Sequence, residues 1–332
     1  MKPFTCAIVG ASGMVGSMFA KVLQERKLPV ENLYLFASAR SAGQTMTFNG
    51  KQYVIEELTE TAFEGRGIDV ALFGVGGDVA KKFAPLAAKA GAIVVDNSSA
   101  FRMDDAVPLV VPEVNSGDLA MHKGIIANPN CCAAPTVVAL KPLLEKYGLQ
   151  RVVISTYQSV SGAGVGGMSD LEETAKGGQP KQFPHPISGN LIPHIDKFHE
   201  DGYTGEEKKL MAEVRKMLHA PELKLTATTV RVPVKFGHSL SINVSLKSPF
   251  ELADIKKLME NAPGVVLQDD GNNNLYPMPL TAAGTDLVYV GRLRKDDSCE
   301  NSLNMWVVAD NTRKGAATNA VQTAEAALRL KQ

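Results

Sequence analysis

The chain has 332 residues, of which 45% are hydrophobic and 21% charged, a composition that can bury a sizeable core over two domains. Its 35 basic and 35 acidic residues cancel, which removes any global electrostatic argument for binding nucleic acid or an anionic membrane. No apolar run approaches the roughly 18 residues of a membrane span, and we expect no signal peptide at the N-terminus. The cysteines, Cys6, Cys131, Cys132 and Cys299, form no disulfide framework, so we expect a reducing, cytoplasmic compartment.

The first half of the chain alternates strand and helix patterns. We predict strands at 5–9, 33–37, 70–73 and 92–96, and helices at 15–24 and 80–90. This alternation predicts an α/β fold with a Rossmann-type, doubly wound parallel sheet.

A glycine-rich turn follows the first predicted strand. Residues 10–16 read Gly-Ala-Ser-Gly-Met-Val-Gly and open a helix, where glycines allow close approach of a pyrophosphate to backbone N–H groups. The alternative is a turn that serves only helix–strand packing. We expect a dinucleotide to contact this turn, at Gly10, Ser12, Gly13, Met14 and Val15.

The end of the second predicted strand selects the cofactor. An NAD site would place Asp or Glu there, whereas this chain has Ser38, Arg40 and Ser41. An arginine flanked by hydroxyls suits the 2′-phosphate of NADP, and the alternative is a solvated surface arginine. We therefore expect NADP.

The second half of the chain has a different pattern. We predict strands at 151–160, 226–234 and 239–246 and helices at 206–218 and 316–330, with a loop-rich stretch at 177–199. The short connection between 226–234 and 239–246 suggests that these two strands pair antiparallel. We predict an NADP-binding domain at 1–130 and a second, α+β domain at 131–311.

Cys131 is a candidate nucleophile. It follows Asn-Pro-Asn and precedes a helical pattern, and a helix start stabilises a thiolate. The alternative is a buried structural cysteine. Thiol catalysis also needs a base. His238 lies between two predicted strands, seven residues after Arg231, whose guanidinium fork suits a carboxylate.

The other histidines lie in stretches without a catalytic signature: His122, His185, His194, His199 and His219. The spacing of His194 and His199 is not a zinc spacing, and we assign no metal.

Ordered blocks along the whole chain resemble aspartate-β-semialdehyde dehydrogenase. They are residues 10–16, 38–43, 95–102, 110–115, 128–131, 156–164, 230–234 leading to His238, and 311–319. The resemblance implies reversible conversion of L-aspartyl 4-phosphate and NADPH to L-aspartate 4-semialdehyde, NADP and phosphate, in lysine, threonine, methionine and diaminopimelate biosynthesis. It also implies that a helix at about 312–332 returns to the NADP-binding domain at 1–130, that 131–311 is a catalytic and dimerisation domain, and that the protein is a homodimer.

The resemblance further implies a role for each matched residue. Cys131 would form a thioester, His238 would act as general acid/base, Gln158 would orient the substrate, and Asn130 would line its site. Arg231 would bind the α-carboxylate, Glu206 the α-ammonium, Arg102 and Lys209 the phosphate, and Ser161, Gly162 and Asn319 the cofactor.

Alternatives remain at three points. Glu206 and Lys209 stand three apart on a predicted helix, where an exposed ion pair is common. The family usually has Ser or Thr where this chain has Cys132, which leaves open which thiol reacts, although Cys131 follows Asn-Pro-Asn as the family nucleophile does. The competing functions are an N-acetyl-glutamyl-phosphate reductase, whose substrate lacks the ammonium, and a catalytically inactive nucleotide-binding paralogue.

Overall fold

The computed structural model describes residues 1–331. The chain forms two compact units, one made of Met1–Pro129 with the segment from Ala316 onward, the other of Asn130–Gly315. None of the helices within residues 1–331 is long and apolar enough to cross a bilayer.

Thirteen strands and nine helices within these residues build the two units. The strands are β1 (Phe4–Val9), β2 (Val30–Ala37), β3 (Thr45–Phe48), β4 (Lys51–Glu57), β5 (Val70–Phe73), β6 (Ile93–Asp96), β7 (Ile125–Ala127), β8 (Leu149–Gln158), β9 (Lys224–Arg231), β10 (His238–Leu246), β11 (Val265–Leu267), β12 (Val288–Lys295) and β13 (Ser302–Ala309). The helices are α1 (Met14–Glu25), α2 (Gly77–Lys89), α3 (Pro112–Asn115), α4 (Ala133–Tyr147), α5 (Gly164–Ala175), α6 (Gly205–Met217), α7 (Leu252–Glu260), α8 (Pro279–Ala282) and α9 (Thr318–Lys331).

The first unit is a doubly wound sheet in the order β3-β4-β2-β1-β5-β6-β7, parallel except for the β3–β4 pair. Strand β1 is buried along its whole length because both faces of the sheet are covered. Cys6 and Ile8 face a core that includes residues of α1 and α9, and Ala7 and Val9 face a second core with residues of α2. The predicted Rossmann-type class is confirmed.

The hairpin of β3 and β4 was not predicted. Its turn is Asn49-Gly50, with positive φ angles of 47° and 76°. An Asn-Gly pair between extended runs favours a two-residue hairpin turn, so the signal was present in the sequence.

The second unit contains a mixed sheet in the order β11-β12-β13-β10-β8-β9. Strands β8 and β9 are parallel, and β10 is antiparallel to both β8 and β13. A mixed sheet was expected, but the predicted pairing of 226–234 with 239–246 is wrong, because β8 lies between β9 and β10.

The connection from β9 to β10 explains this order. Its backbone bonds to the end of β8: Val232 N–H donates to Gln158 O (3.0 Å), and Val160 N–H donates to Val234 O (2.8 Å). The segment therefore crosses the end of β8 instead of turning back on β9. Pro233, which has no N–H to donate, lies in this crossing segment.

Candidate active site

Three of the predicted site residues lie at one edge of the second sheet. Gln158 and Arg231 are the last residues of β8 and β9 and pair in register. His238 is the first residue of β10, and its neighbour Ser239 pairs with Tyr157. Because β10 runs antiparallel to β8, its start meets the ends of β8 and β9. All three side chains are buried.

Asn130 positions the start of α4. Its Oδ1 accepts the N–H groups of Cys132 (2.8 Å) and Ala133 (3.3 Å), and so satisfies two donors that the helix leaves unpaired. Its Nδ2 donates to Glu206 Oε1 (2.8 Å), and its backbone N–H donates to Glu213 Oε2 (2.6 Å). These bonds fix the backbone on both sides of Cys131.

The backbone at Gly315 is packed directly on Cys131. A Cβ at this position would lie 2.9 Å from Cys131 O and 3.1 Å from its Cβ, closer than ordinary contacts allow. Cys131 is thus held from a second direction, and a side chain at 315 would displace it.

The two adjacent thiols of this site differ in acidity. A hydrogen bond from Cys132, together with nearby His238 and Arg231, holds the pKa of Cys131 well below the usual thiol range, although burial opposes this. Burial, and then the neighbouring Cys131 sulfur, raise the pKa of Cys132. These directions favour Cys131 over Cys132 as the thiolate of the pair.

The two ring nitrogens of His238 have different surroundings. Nδ1 accepts the backbone N–H of Ser159 (3.1 Å) and lies 3.0 Å from Ser159 Oγ. A backbone N–H can only donate, so in the neutral ring the proton sits on Nε2. Nε2 is buried and has no hydrogen-bond partner within residues 1–331. The sulfur atoms of Cys131 and Cys132 and a ring nitrogen of His238 all lie within 4.8 Å of one another.

Glu206 bonds to two other predicted site residues and does not pair with Lys209. Its Oε1 accepts from Asn130 and from Gln158 Nε2 (3.2 Å), and the residue is buried. Lys209 instead forms an ion pair with Asp196, both side chains being about one-third exposed. The alternative of an exposed Glu206–Lys209 ion pair is therefore wrong.

Arg231 is anchored by one arm of its guanidinium. Its Nη1 donates to Ser159 O (2.8 Å), and the guanidinium carbon lies 5.6 Å from the centre of the Phe183 ring. Burial lowers its pKa, whereas the Cys131 and Glu206 charges oppose that effect. A buried guanidinium among so few acceptors is suited to an anionic ligand.

Gly162 and Ser161 follow β8 in the same unit. A Cβ on Gly162 would lie 2.8 Å from Arg231 Nη1 and 3.2 Å from His238 Nε2, so its backbone packs against both side chains. Ser161 is buried and exchanges hydrogen bonds with Asn311, whose Oδ1 also accepts Gly237 N–H (3.0 Å). Their cofactor contact stays a prediction.

In the first unit, the glycine-rich turn suits a dinucleotide phosphate. Gly10 has φ 85°, and a Cβ on Gly16 would lie 2.1 Å from Gly10 O, so the turn and the helix approach as only glycine permits. Helix α1 has no side-chain cap at Gly13, which leaves its first N–H groups for an anion. Ser12 Oγ donates to Ser41 Oγ (3.1 Å), which joins this turn to the segment of Arg40, an exposed residue.

Arg102 and Asn319 are buried in the first unit. Arg102 donates from Nε to Asn128 O and from Nη2 to Asn97 O, both at 2.9 Å. Asn319 Nδ2 donates to Val110 O (2.9 Å) and Asn128 Oδ1 (2.8 Å), so both its amide hydrogens are engaged. The phosphate role of the first and the cofactor role of the second stay predictions.

Sequence reasoning missed three residues of the second unit. Glu213 holds the Asn130 backbone, Ser159 sets the His238 tautomer, and Asn311 ties the turn after β8 to Gly237. Glu213 stands seven residues after Glu206, hence on the same helix face, which was a readable signal. The sequence carried no comparable signal for Ser159.

Family models match most of the chain. The semialdehyde dehydrogenase NAD binding domain matches residues 5–122, and the semialdehyde dehydrogenase dimerisation domain matches residues 140–314. An aspartate-semialdehyde dehydrogenase from Aquifex aeolicus (strain VF5) is 53% identical over 332 residues and covers 97% of each chain.

Solved structures agree with the sequence matches. Aspartate semialdehyde dehydrogenase II from Vibrio cholerae, complexed with ASA, is 41% identical with a TM-score of 0.94, covering 99% of both chains. The enzyme from Candida albicans, with NADP, is 26% identical with a TM-score of 0.77, again covering 99% of both chains.

Proposed function

Because the chain belongs to the aspartate-semialdehyde dehydrogenase family, we propose that it interconverts L-aspartyl 4-phosphate and L-aspartate 4-semialdehyde with NADP, through a thioester on Cys131. The family makes it an oxidoreductase of aspartate-family amino-acid biosynthesis that uses a nicotinamide cofactor. We further propose that this biosynthetic pathway leads to lysine, threonine, methionine and diaminopimelate. The observation that carries the thioester is the position of the Cys131 sulfur within 4.8 Å of a ring nitrogen of His238, where Cys132, His238 and Arg231 lower the pKa of its thiol.

Cys131 would act as nucleophile at the C4 carbonyl of either substrate. Attack of its thiolate on the aldehyde gives a hemithioacetal, and loss of hydride from that carbon gives the thioester. Phosphate oxygen then attacks the thioester, and the Cys131 thiolate leaves as aspartyl phosphate forms. Its low pKa serves both steps, since the same group must be a nucleophile and a leaving group near neutral pH.

His238 would serve the carbonyl oxygen through its Nε2–H. The negative charge of each tetrahedral intermediate sits on that oxygen, and a positioned N–H donor stabilises it. Ser159 N–H donates to Nδ1, so Nδ1 is not available for proton transfer. The general acid/base role proposed for His238 would therefore be carried out by Nε2.

Substrate recognition would divide between a cation and an anion. We propose that Arg231 binds the α-carboxylate with the guanidinium arm that does not hold Ser159 O, and that Glu206 binds the α-ammonium. Gln158, bonded to Glu206, would orient the reacting end of the substrate, and Asn130 would hold Glu206 in place.

Lys209 and Arg102 remain the proposed phosphate ligands. The Lys209–Asp196 pair is partly exposed, and such a pair contributes little stability, so Lys209 can exchange Asp196 for an oxyanion at small cost. Arg102 is proposed from the family resemblance alone.

The cofactor we propose is NADP. When bound, it supplies or accepts the hydride of the redox step. The glycine-rich turn would hold its pyrophosphate, and Arg40 with Ser38 and Ser41 would hold its 2′-phosphate. In support, Gly10 and Gly16 allow the turn to lie close against the start of α1, and no side chain caps that helix at Gly13. We further propose a cytoplasmic homodimer, in keeping with the dimerisation-domain model.

The decisive experiment separates redox turnover from the thioester. Purified protein with aspartate semialdehyde, phosphate and NADP should raise the absorbance of reduced nicotinamide, and Cys131→Ala should not. Without phosphate the thioester cannot be released, so mass spectrometry of the peptide that carries Cys131 should show an aspartyl adduct, sensitive to hydroxylamine.

The outcomes distinguish the competing functions. Turnover of N-acetylglutamate semialdehyde in preference to aspartate semialdehyde would establish the rival reductase. NADP binding with no turnover of either would indicate an inactive paralogue. Turnover with the adduct on Cys132 would retain the activity and reverse our assignment of the thiols.

A further inference from the structure

Cys131, Cys132 and His238 form a compact set of soft ligands. Their two sulfur atoms and one ring nitrogen lie within 4.8 Å of one another, although the residues are up to 107 positions apart in the chain. The proposed thioester chemistry forms bonds at Cys131 and uses His238, but it forms no bond to the Cys132 sulfur.

The histidine contributes an available nitrogen. Nε2 of His238 is fully buried and unpartnered within the described residues, whereas Nδ1 is held by Ser159 N–H. Nε2 is therefore the nitrogen that a cation would use, which requires the tautomer with the ring proton on Nδ1. In that tautomer Nδ1 donates to Ser159 Oγ, 3.0 Å away, whose own proton goes to Asn311 Oδ1, and this bond replaces the one from Ser159 N–H.

The spacing fits a tetrahedral d-block ion. Zinc bonds of about 2.3 Å to sulfur and about 2.0–2.1 Å to nitrogen place tetrahedral ligands roughly 3.5–3.8 Å apart. Atoms already within 4.8 Å need to close by about 1.3 Å at most. Three protein ligands leave a fourth position for a water molecule.

The charge of the two thiolates and the softness of the sulfur and imidazole ligands also favour a divalent d-block ion. Two thiolates neutralise a divalent cation, and Arg231 and Glu206, which act electrostatically on these thiols, carry opposite charges. Sulfur and imidazole ligands exclude Mg²⁺ and Ca²⁺, which require oxygen.

We propose that Cys131, Cys132 and His238 Nε2 form an inhibitory site for a thiophilic divalent cation such as Zn²⁺. The cation bonds to the Cys131 sulfur and displaces the thiol proton of Cys132, while the proton of the His238 ring moves from Nε2 to Nδ1, so that the neutral ring binds through Nε2. The cation thereby removes the lone pair with which the Cys131 sulfur attacks the substrate. The inhibition rests on the proposed role of Cys131, whereas the binding does not.

Binding is measured first, without substrates. ZnCl₂ is titrated into the reduced full-length protein against a chromophoric chelator, and Co²⁺ is used as an absorbing substitute. The wild type should bind one Zn²⁺ per chain, and the Co²⁺ form should show a sulfur-to-cobalt charge-transfer band. Cys132→Ser and His238→Gln should each bind Zn²⁺ at least about tenfold more weakly, since even losing a supporting partner of a ligand costs that much. Cys299→Ser, which removes the exposed cysteine, should bind as the wild type does.

Turnover is measured second, for each protein relative to its own metal-free rate. Zn²⁺ should inhibit wild type and Cys299→Ser over the range of concentration in which it binds, and activity should recover on adding EDTA. It should inhibit Cys132→Ser only at higher concentration.

Equal Zn²⁺ affinity in wild type, Cys132→Ser and His238→Gln, with circular dichroism showing each folded, would overturn the proposal. So would stoichiometric binding that leaves turnover intact. A chain that binds Zn²⁺ through Cys132 but turns over no aspartate semialdehyde would retain the binding site and refute the proposed function instead.

Discussion

Replacing Cys132 by alanine should raise the pKa of Cys131. The Cys132 thiol is the largest contributor to the low pKa of Cys131, and alanine removes that donor. A hydrogen bond to a charged group contributes about 1.5–3 kcal/mol, and about 1.36 kcal/mol corresponds to one pH unit. Because S–H is a weak donor, we expect the lower end, an increase of about one pH unit.

The assay is the rate of alkylation by iodoacetamide as a function of pH, with peptide mapping to follow Cys131 alone. Only the thiolate reacts, so below both pKa values the Cys132→Ala variant should react about tenfold more slowly than wild type, and at high pH the two rates should converge. Cys132→Ser keeps a hydroxyl donor in nearly the same volume. It should shift the profile less and keep most of the turnover.

Two results would contradict this reasoning. Coincident alkylation profiles for wild type and Cys132→Ala would mean that Cys132 does not stabilise the thiolate. A uniform slowing at every pH would mean that alanine has changed access to Cys131 and not its pKa.

Further predictions follow from other parts of the molecule. Arg40→Ala should raise the KM for NADP roughly ten- to a hundred-fold, with little change for NAD, since one charge-assisted contact is lost; equal effects in cofactor titrations would exclude Arg40 from the 2′-phosphate site. Arg231→Lys should lower kcat/KM for aspartate semialdehyde by a similar factor and leave an analogue without the α-carboxylate nearly unaffected; if both substrates suffer alike, Arg231 supports the turn through Ser159 instead. Asn130→Ala removes the cap of α4 and should lower the free energy of unfolding by about 1–2 kcal/mol in urea titrations, where an unchanged midpoint would contradict the capping role.

Local sequence patterns predicted the class of fold of the first unit, although they did not predict β3, β4 and β7. Alternating buried strands and helices, with a glycine-rich turn after β1, dictate a doubly wound sheet because each element contributes through its own periodicity. The β3–β4 hairpin had a local signal as well, in Asn49-Gly50. The class of fold and the glycine-rich turn can therefore be predicted from local sequence, without any long-range information.

The pairing of the second sheet was not recoverable in the same way. Strand propensity indicates that 224–231 and 238–246 are extended, but it does not indicate which strands they pair with. The short connection between them favoured pairing with each other, which is wrong. The hydrogen bonds that decide it join 232–235 to 158–161, more than 70 residues away. The pairing of Lys209 with Asp196, and not with Glu206, has the same cause, because the loop that carries Asp196 was not predictable.

The pKa difference between the adjacent thiols also lay outside the sequence. Both cysteines precede the same helix, so the helix start alone does not rank them. The ranking follows from the groups around each sulfur: the Cys132 thiol and His238 lower the pKa of Cys131, whereas burial dominates at Cys132 and raises its pKa. The family resemblance selected Cys131 on the strength of Asn-Pro-Asn.

The crossing of residues 232–237 over the end of β8 bears on how the protein folds. Gln158 lies next to Arg231 and His238 only when β8 has acquired a strand on each side, and β9 and β10 come from positions about 70 to 80 residues further along the chain. Pairings at such separations form slowly, because loop closure costs entropy before the contacts repay it. The site is therefore complete only when both β9 and β10 have paired with β8. The return of enzymatic activity after dilution from denaturant reports the completion of the second sheet, and helix content recovered earlier does not.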